Sequence, residues 1–482
     1  YLAGSSLLSS LAMPDGIIRE LAYEQRRNLV TAINCRLGET VFVSRTQSCD
    51  ALGRPVTRTQ QRGTEPARSD SFSYNGRNEL TAATLGADPY GYSYDNIGNR
   101  KTAREPAGEL AYAANGLNQY TGIEESGEAP FVPTYDASGN QTLIKTSTGV
   151  WTVVYNAANR AVSFTSRNGN TIIECGYDYQ GRRYMKKVTQ NGTVASHERY
   201  LYRGYLQIAP LDMLDNRNVL RTLLWDPLEP MATRPLALVQ GASLYCYGTD
   251  FNKNVTEVFD AQGTIAAAYD YSPYGAVTGT GSLVQPVQWS GEMHDEEPAL
   301  AYYNYRFYNP KDGRWINRDP IAEEGGWNSY SFVGNNPIDS FDINGQNAMA
   351  RAVPFAAGAA AVDGLLPIGD VIGAIVIVSA GAYDLSQPGP GTGNCTRLFH
   401  GMLQSAVNAA KIETALLGKC KDTDCCWLLK IKAATWLKNA IARDTINSKC
   451  YQGGDSGHRK ASEQAWTNVI NCQRKIKIKC NG

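Results

Sequence analysis

One turn near the C-terminus combines a carboxylate with an imidazole in a glycine-rich stretch, residues 450–459. The imidazole of His458 can act as a general acid or base near neutral pH, and Asp455, three residues earlier, could orient its ring. Arg443, which precedes the turn, carries a planar guanidinium that suits a phosphate contact. Such a set favours metal-independent cleavage of RNA, a reaction that needs no cluster of carboxylates.

The same turn has a purely structural alternative. Asp455 or Ser456 could cap the helix predicted at residues 460–472, and His458 would then be exposed in its first turn. Helical periodicity also runs through residues 398–417 and 427–441, without a competing strand pattern. Residues 395–482 are therefore predicted to form a small all-α domain, called the tip below.

The tip is unusually rich in cysteine. It holds seven of the 11 cysteines of the chain, namely Cys395, Cys420, Cys425, Cys426, Cys450, Cys472 and Cys480. No clear pair of Cys-x-x-Cys motifs is present, and only His400 and His458 offer imidazoles, so neither a metal nor another cofactor is predicted. Disulfides between helices are the favoured interpretation; reduced, buried thiols are the alternative.

Charge is distributed unevenly along a chain whose total is neutral. Residues 395–482 contain 15 Lys and Arg against 6 Asp and Glu, whereas residues 1–394 contain 31 against 40. A basic tip indicates an anionic target, either nucleic acid or a membrane surface, and an acidic body should attract the tip. The chain starts at Tyr1 without Met or a basic or apolar leader, so we expect it to be a piece of a longer protein.

The elements that would carry this tip are built from a repeat. Four segments share the pattern Asp-x-x-Gly, with aspartates 45, 41 and 42 residues apart at Asp50, Asp95, Asp136 and Asp178. Degenerate copies lie between them, so each unit is about half that length and fits one β-hairpin. Asp can cap the turn, Gly can adopt the positive φ that it needs, and the preceding Tyr can supply a cross-strand contact.

These Tyr-Asp units resemble the YD-repeat family, which includes bacterial Rhs proteins, the C components of insecticidal Tc complexes and animal teneurins. The resemblance covers roughly residues 40–346. It implies a mainly β fold in which hairpins spiral into a hollow shell, here followed by the all-α cysteine-rich tip. The repeat residues are interpreted as scaffold.

The end of the repeat region contains an ordered series of motifs: Tyr302-Tyr303-Asn304-Tyr305-Arg306-Phe307-Tyr308-Asn309-Pro310, Gly313-Arg314-Trp315, Arg318-Asp319-Pro320, Asn335-Asn336-Pro337 and Phe341-Asp342-Ile343-Asn344-Gly345-Gln346. The series resembles the Rhs-associated core, an intramolecular aspartic protease. The resemblance implies that Asp319 and Asp342 form its carboxylate pair, with Arg318 holding one of them in its charged form. Two neighbouring carboxylates can share a proton and so supply one acid and one base.

That resemblance places the cut between Gln346 and Asn347. The sequence departs from the family pattern at two positions, since Ile343 stands where the family has Pro and Gln346 where it has Leu. Proline would restrict the backbone before the scissile bond, and leucine would fill an apolar subsite. The alternative is that Asp319 and Asp342 only cap turns.

The chain divides on this basis into a repeat shell at 1–268, a self-cleaving core at 269–346, a hydrophobic helical connector at 347–385, a Pro- and Gly-rich linker at 386–394 and the tip at 395–482. The apolar stretch at 352–383 is either a membrane-active hairpin after release or a buried connector. Its longest uncharged run is shorter than the roughly 20 residues that a membrane-spanning helix needs.

The tip itself resembles predicted polymorphic toxin tips with a Cys-aromatic-x-Gly-Gly-Asp-x-x-His signature. The chain is thus expected to be a secreted or surface toxin that releases an RNase into competing cells. An immunity protein and a delivery machinery are its expected partners, with nucleic acid as the target. The alternatives are a pore-forming tip and a teneurin-like adhesive protein that binds glycans without toxicity.

Overall fold

The computed structural model describes residues 7–13, 16–226, 233–346, 348–350, 418–424, 426–451 and 456–480, with single positions at 2, 5, 407, 411 and 414. Two compact units are present. The first comprises residue 1 and Leu8–Arg351, and the second comprises Leu2–Leu7 and Ala352–Gly482. The finer boundaries between core, connector, linker and tip stay predictions.

The first unit is built from antiparallel sheets in which each strand pairs with its neighbour in the chain. The 11-stranded sheet consists of β1 Ser10–Ala12, β2 Ile17–Tyr23, β3 Val30–Leu37, β4 Thr40–Cys49, β5 Pro55–Arg62, β6 Arg68–Tyr74, β7 Leu80–Leu85, β8 Asp88–Tyr94, β9 Arg100–Glu105, β10 Gly108–Ala114 and β11 Tyr120–Glu125. The nine-stranded sheet consists of β12 Thr134–Tyr135, β13 Gln141–Thr146, β14 Gly149–Tyr155, β15 Ala161–Ser166, β16 Thr171–Tyr177, β17 Arg183–Gln190, β18 Thr193–Arg203, β19 Leu206–Asp212 and β20 Asn218–Val219.

Three smaller sheets complete this unit. The six-stranded sheet consists of β21 Thr222–Trp225, β22 Pro235–Gln240, β23 Ser243–Thr249, β24 Val255–Phe259, β25 Ile265–Tyr271 and β26 Val277–Gly281. The four-stranded sheet consists of β27 Met293–Asp295, β28 Leu300–Tyr303, β29 Arg306–Asn309 and β30 Arg314–Trp315, and the last is a hairpin of β31 Ser340–Asp342 and β32 Ala348–Ala350. Short 3-10 turns lie at Trp289–Gly291, Ala322–Gly325 and Val333–Asn335.

The repeat aspartates close hairpin turns as the sequence predicts. Asp95 Oδ1 accepts hydrogen bonds from the backbone N–H groups of Ile97 and Asn99, at 2.9 and 2.8 Å. Gly98 has a φ of +85°, which only glycine adopts without strain. Degenerate units place an asparagine in the left-handed region instead, at Asn78, Asn118 and Asn159. The turn chemistry is therefore contained within about five residues of sequence.

The repeat tyrosines do more than pack across strands. The hydroxyl of Tyr94 donates to the backbone carbonyl of Leu80 at 2.7 Å, and Tyr155 and Tyr177 bond in the same way to Gln141 and Ala161. Each tyrosine thus ties the end of its own strand to a strand that starts 14–16 residues earlier.

The end of the first unit packs against the repeat turns. The carbonyl of Gly98 accepts from Asn335 at 2.8 Å, and that of Gly139 accepts from the Tyr330 hydroxyl at 2.6 Å. Asn328 donates to Asn99 at 2.8 Å. Beneath these contacts lies an aromatic cluster of buried rings, formed by Tyr303, Tyr308, Trp315 and Phe332. The turns therefore fix the loops that hold the candidate site.

The second unit contains the helices α1, Cys426–Tyr451, and α2, Ser456–Cys480. The helices pack through Ala440, Ala465 and Val469, and a disulfide joins Cys420 to Cys472. The predicted helix at 460–472 is longer than expected at both ends, since α2 starts at Ser456, with His458 in its first turn, and ends at Cys480. Among the helices that the structure describes, none has the length and apolar character needed to cross a membrane, and the connector at 352–383 lies outside the described residues.

Candidate self-cleavage site

A buried arginine stands at the centre of the candidate site. Arg306 begins β29, is 3% exposed, and stacks its guanidinium 4.0 Å from the ring centre of Trp315. Its Nε donates to the backbone carbonyl of Gly345 at 2.5 Å. Since a buried guanidinium cannot remain charged without anionic or carbonyl partners, its surroundings must supply acceptors.

Two carboxylates, those of Asp319 and Asp342, are the acceptors of the Arg306 guanidinium. The Arg306 Nη2 atom lies 2.8 Å from Asp319 Oδ2 and 3.4 Å from Asp342 Oδ2. Because both oxygens meet the same nitrogen, they are no more than about 6 Å apart. Asp319 is 7% and Asp342 2% exposed. The two aspartates named from the sequence are thus brought together, with a guanidinium between them.

Asp342 organises the chain that follows it. Its Oδ1 accepts hydrogen bonds from the backbone N–H groups of Asn344, Gly345 and Gln346, at 3.1, 2.8 and 3.2 Å. Asp342 ends β31 and lies opposite Ala348, the first residue of β32, in the hairpin register. Asn347 itself lies outside the described residues. The carboxylate that would act on the bond after Gln346 therefore also holds the residues leading to it.

Asp319 has a different environment. Its Oδ1 accepts from the Ile321 N–H at 3.0 Å, and its own N–H donates to the Ser329 carbonyl at 2.9 Å. Burial raises its pKa to about 6, while Arg306 and the Ile321 N–H act in the opposite direction and the nearby charge of Asp342 adds to the rise. Burial also lowers the pKa of Arg306, against the attraction of both carboxylates.

The site opens onto a cavity of about 280 Å³. Its walls include Arg306, Asp319 and Asp342, together with Glu79 from a repeat turn and Trp327, whose side chain is 84% exposed. A water molecule therefore has room to approach the two carboxylates. The arrangement provides one carboxylate held by several hydrogen bonds, which stabilise its charge, and a second that can carry a proton near pH 6.

Arg318 occupies another place than the resemblance implied. It is exposed, and its aliphatic stem lies over Gly139, where an added Cβ would meet Arg318 Cδ at 2.7 Å. The guanidinium that contacts both aspartates is Arg306, which sequence reasoning left in the scaffold. A signal was present, because an arginine inside the aromatic strand motif Tyr305-Arg306-Phe307 is buried only if an anion accompanies it.

The tip residues are only partly described. Arg443 lies on α1, half-buried, and its Nε donates to Asn439 Oδ1 at 2.6 Å. Burial lowers its pKa. Asp455 and the side chain of His458 lie outside the described residues, so the proximity of the three predicted groups stays a prediction. The neighbouring Asp444 bonds to Trp466 and Ser462 of α2.

Two family models match the chain. The model described as teneurin YD-shell matches residues 17–338, and that described as novel toxin 16 matches residues 391–475. These matches confirm the resemblances drawn from the Tyr-Asp repeats and from the glycine-rich turn of the tip. They also support a mainly β fold of YD-shell type followed by a helical region.

Similar proteins include bacterial toxins. The chain is 27% identical over 268 residues to the tRNA3(Ser)-specific nuclease WapA of Bacillus spizizenii, covering 53% of this chain and 11% of that protein. It is 26% identical over 256 residues to the double-stranded DNA deaminase toxin A of Burkholderia cenocepacia, covering 51% and 17%. It therefore spans less than a fifth of either relative.

Solved structures share the fold. The crystal structure of TcdB2-TccC3-TEV superposes with a TM-score of 0.57 at 19% identity, covering 69% of this chain and 18% of that one. At this identity the likeness concerns the fold alone.

Proposed function

Because the chain belongs to the teneurin YD-shell family, we propose that it is an Rhs-type polymorphic toxin that cleaves itself after Gln346 and delivers a C-terminal nuclease into competing cells. Its relatives support this proposal. A tRNA nuclease and a DNA deaminase toxin resemble it over about half of this chain, and a separate toxin family matches residues 391–475. Proteins that share a shell but carry different C-terminal effectors would match this chain over the shell alone.

The contact of Arg306 with both Asp319 and Asp342, beside the Gln346 backbone, carries the self-cleavage proposal. Charged Asp342 takes a proton from a water molecule, whose oxygen attacks the carbonyl carbon of Gln346. Protonated Asp319 gives its proton to the leaving nitrogen of Asn347. The C–N bond breaks, and the products are a carboxylate at Gln346 and a free amine at Asn347.

Cleavage of the full chain tests this step. On a denaturing gel the wild type should yield a fragment of residues 347–482, which mass spectrometry identifies by an N-terminal Asn347. Asp342→Asn and Asp319→Asn should remain intact. A single intact wild-type band would refute self-cleavage.

A matched control is available in the repeat. Asp136→Asn makes the same substitution in a hairpin turn, where Asn75, Asn115 and Asn156 fill the equivalent place in other units. This variant should fold and be cleaved like the wild type. Loss of cleavage in the control would show that the gel reports folding and not the site.

For the tip we propose an all-α, cysteine-rich domain at residues 395–482 that cleaves RNA without a metal. His458 would be the general acid or base, Asp455 would orient it, and Arg443 would contact phosphate. The excess of basic residues suits a nucleic-acid target. The proposal includes secretion, a delivery machinery, an immunity protein that protects the producing cell, and membrane contact through 352–383.

Expression of the full chain inside bacteria tests the tip. Growth arrest with degraded RNA is expected for the wild type, and His458→Ala should abolish both, whereas the control His197→Ala in β18 should not. Loss of membrane potential with intact RNA would instead indicate a membrane-active tip. Normal growth of cells that contain the released fragment would contradict the proposal that the tip is toxic.

A further inference from the structure

Gly325 lies against one oxygen of the candidate site. It ends the 3-10 turn Ala322–Gly325, which follows Asp319 in the chain. A Cβ built on Gly325 would be 2.5 Å from Asp319 Oδ2 and 2.8 Å from its Cγ. Both separations are far below van der Waals contact. The oxygen involved is the one that meets Arg306.

We propose that Gly325 is a positioning residue for self-cleavage, whose bare backbone leaves the Asp319 carboxylate the space to lie against Arg306. The inference rests on the proposed self-cleavage. It goes further by assigning a role to a residue that takes no part in the proposed proton transfers.

The turn leaves the carboxylate little freedom to move aside. Asp319 Oδ1 is bonded to the Ile321 N–H, and the Asp319 carbonyl accepts from the Ala322 N–H at 3.0 Å. Gly325 has no left-handed φ, unlike Gly326 at +125°. A methyl group at position 325 therefore causes no backbone strain of its own, and it must displace either the turn or the carboxylate.

Replacing Gly325 by alanine should slow cleavage about a hundredfold, a loss that misplacing a reacting group by about 1 Å can cause. The rate is measured by pulse-labelling the full chain and following the fragment on a gel. Gly122→Ala in β11 is the matched control, because its Cβ would meet nothing within 4 Å and its φ is not left-handed. Equal rates for Gly325→Ala and wild type would overturn the proposal.

The pH profile supplies a readout that general destabilisation would not move. The charged groups that line the same cavity are Arg77, Glu79, Arg306 and Asp342, and all remain in the variant. Since the charge of Arg306 opposes the raised pKa of Asp319, a carboxylate displaced from Arg306 should have a higher pKa, and the pH of half-maximal rate should shift upward. An unshifted profile at a reduced rate would contradict a role through Asp319.

Melting temperatures test the contact independently of cleavage. Gly325→Ala should lower the melting temperature in the wild type but not in an Asp319→Ala background, where the opposing carboxylate is gone. If Gly325→Ala alone fails to fold, recovery of folding in the double variant is the expected result. Equal losses in both backgrounds would overturn the proposal. An uncleaved wild type would refute the proposed function, and this comparison would still decide whether the two residues are coupled.

Discussion

At the residue scale, the candidate site depends on a guanidinium that serves three acceptors on two chain segments. Arg306 contacts Asp319, Asp342 and the carbonyl of Gly345, and its plane is fixed by stacking on Trp315. A lysine could not replace it, because a single ammonium lacks the fork of donors that serves several acceptors at once. The exposed Arg318 next to Asp319 has no such set of partners among the contacts of the described residues.

Arg306→Gln and Arg318→Gln should therefore differ sharply in their stability and in their rate of self-cleavage. Removing the Arg306 charge leaves two buried carboxylates uncompensated, at a cost of about 3–5 kcal/mol, and should abolish cleavage. Arg318→Gln should change the melting temperature little and leave the fragment on the gel. Loss of cleavage in Arg318→Gln with retention in Arg306→Gln would assign the role to Arg318 instead.

The proposed cleavage should depend on pH through Asp319. Its pKa of about 6 means that the proton needed for the leaving nitrogen is present below that pH and lost above it. The rate should rise as the pH falls from 8 through about 6. In stability the same raised pKa favours folding below about pH 4, and this contribution is lost as the pH rises through about 6. A rate that increases above neutral pH would contradict the assignment of the acid.

At the element scale, the hairpin unit is held by local bonds that repeat along the chain. The turn aspartate or asparagine caps its own turn, and the tyrosine before it reaches back to the previous strand. A strand register is therefore fixed twice in each unit, at the turn and at the strand end.

Tyr155→Phe tests the second of these bonds. The Tyr155 hydroxyl donates to the Gln141 carbonyl at 3.0 Å and lies 3.4 Å from that of Ile316, so its loss should cost about 1–2 kcal/mol. Tyr179→Phe is the control, because Tyr179 is 92% exposed. Chemical denaturation of the two variants measures the difference, and equal midpoints would show that the hydroxyl contributes nothing.

The Cys420–Cys472 disulfide is the covalent bond that stabilises the second unit. It closes a loop over a sequence separation of 52 residues, which corresponds to about 4 kcal/mol in a chain-entropy estimate. Cys472→Ser should make the C-terminal region sensitive to protease, and dithiothreitol should do the same to the wild type. If the C-terminal region stays resistant to protease both in Cys472→Ser and in dithiothreitol, the helices stay folded without the disulfide.

At the scale of the whole molecule, the uneven charge is the property that bears on the proposed release of the tip. Residues 395–482 carry nine more positive than negative side chains, and residues 1–394 carry nine more negative than positive ones. Attraction between them is screened over about 10 Å at 0.1 M salt. After cleavage, the two parts should co-elute in gel filtration at low salt and separate more readily as salt is raised. If the separation of the two parts does not depend on salt, electrostatic attraction does not keep them together.

The sequence by itself determined the repeat, its turns and the β class of the first unit. Each strand pairs with its neighbour in the chain, and the side chains that set each turn lie within about five residues, so periodicity carries the information. The helices α1 and α2 follow from a local pattern in the same way. The aspartates Asp319 and Asp342 were also named from the sequence, by their motif contexts.

Only the tertiary structure decided how these aspartates are held. Arg306 meets a carboxylate 36 residues away, and Gly98 and Gly139 bond to residues 237 and 191 positions later. Such contacts arise from packing between distant segments. A periodic sequence pattern does not indicate how close two such residues lie in space. The closeness of Gly325 to the Asp319 carboxylate is of the same kind, since the absence of a side chain becomes informative only when its neighbour is known.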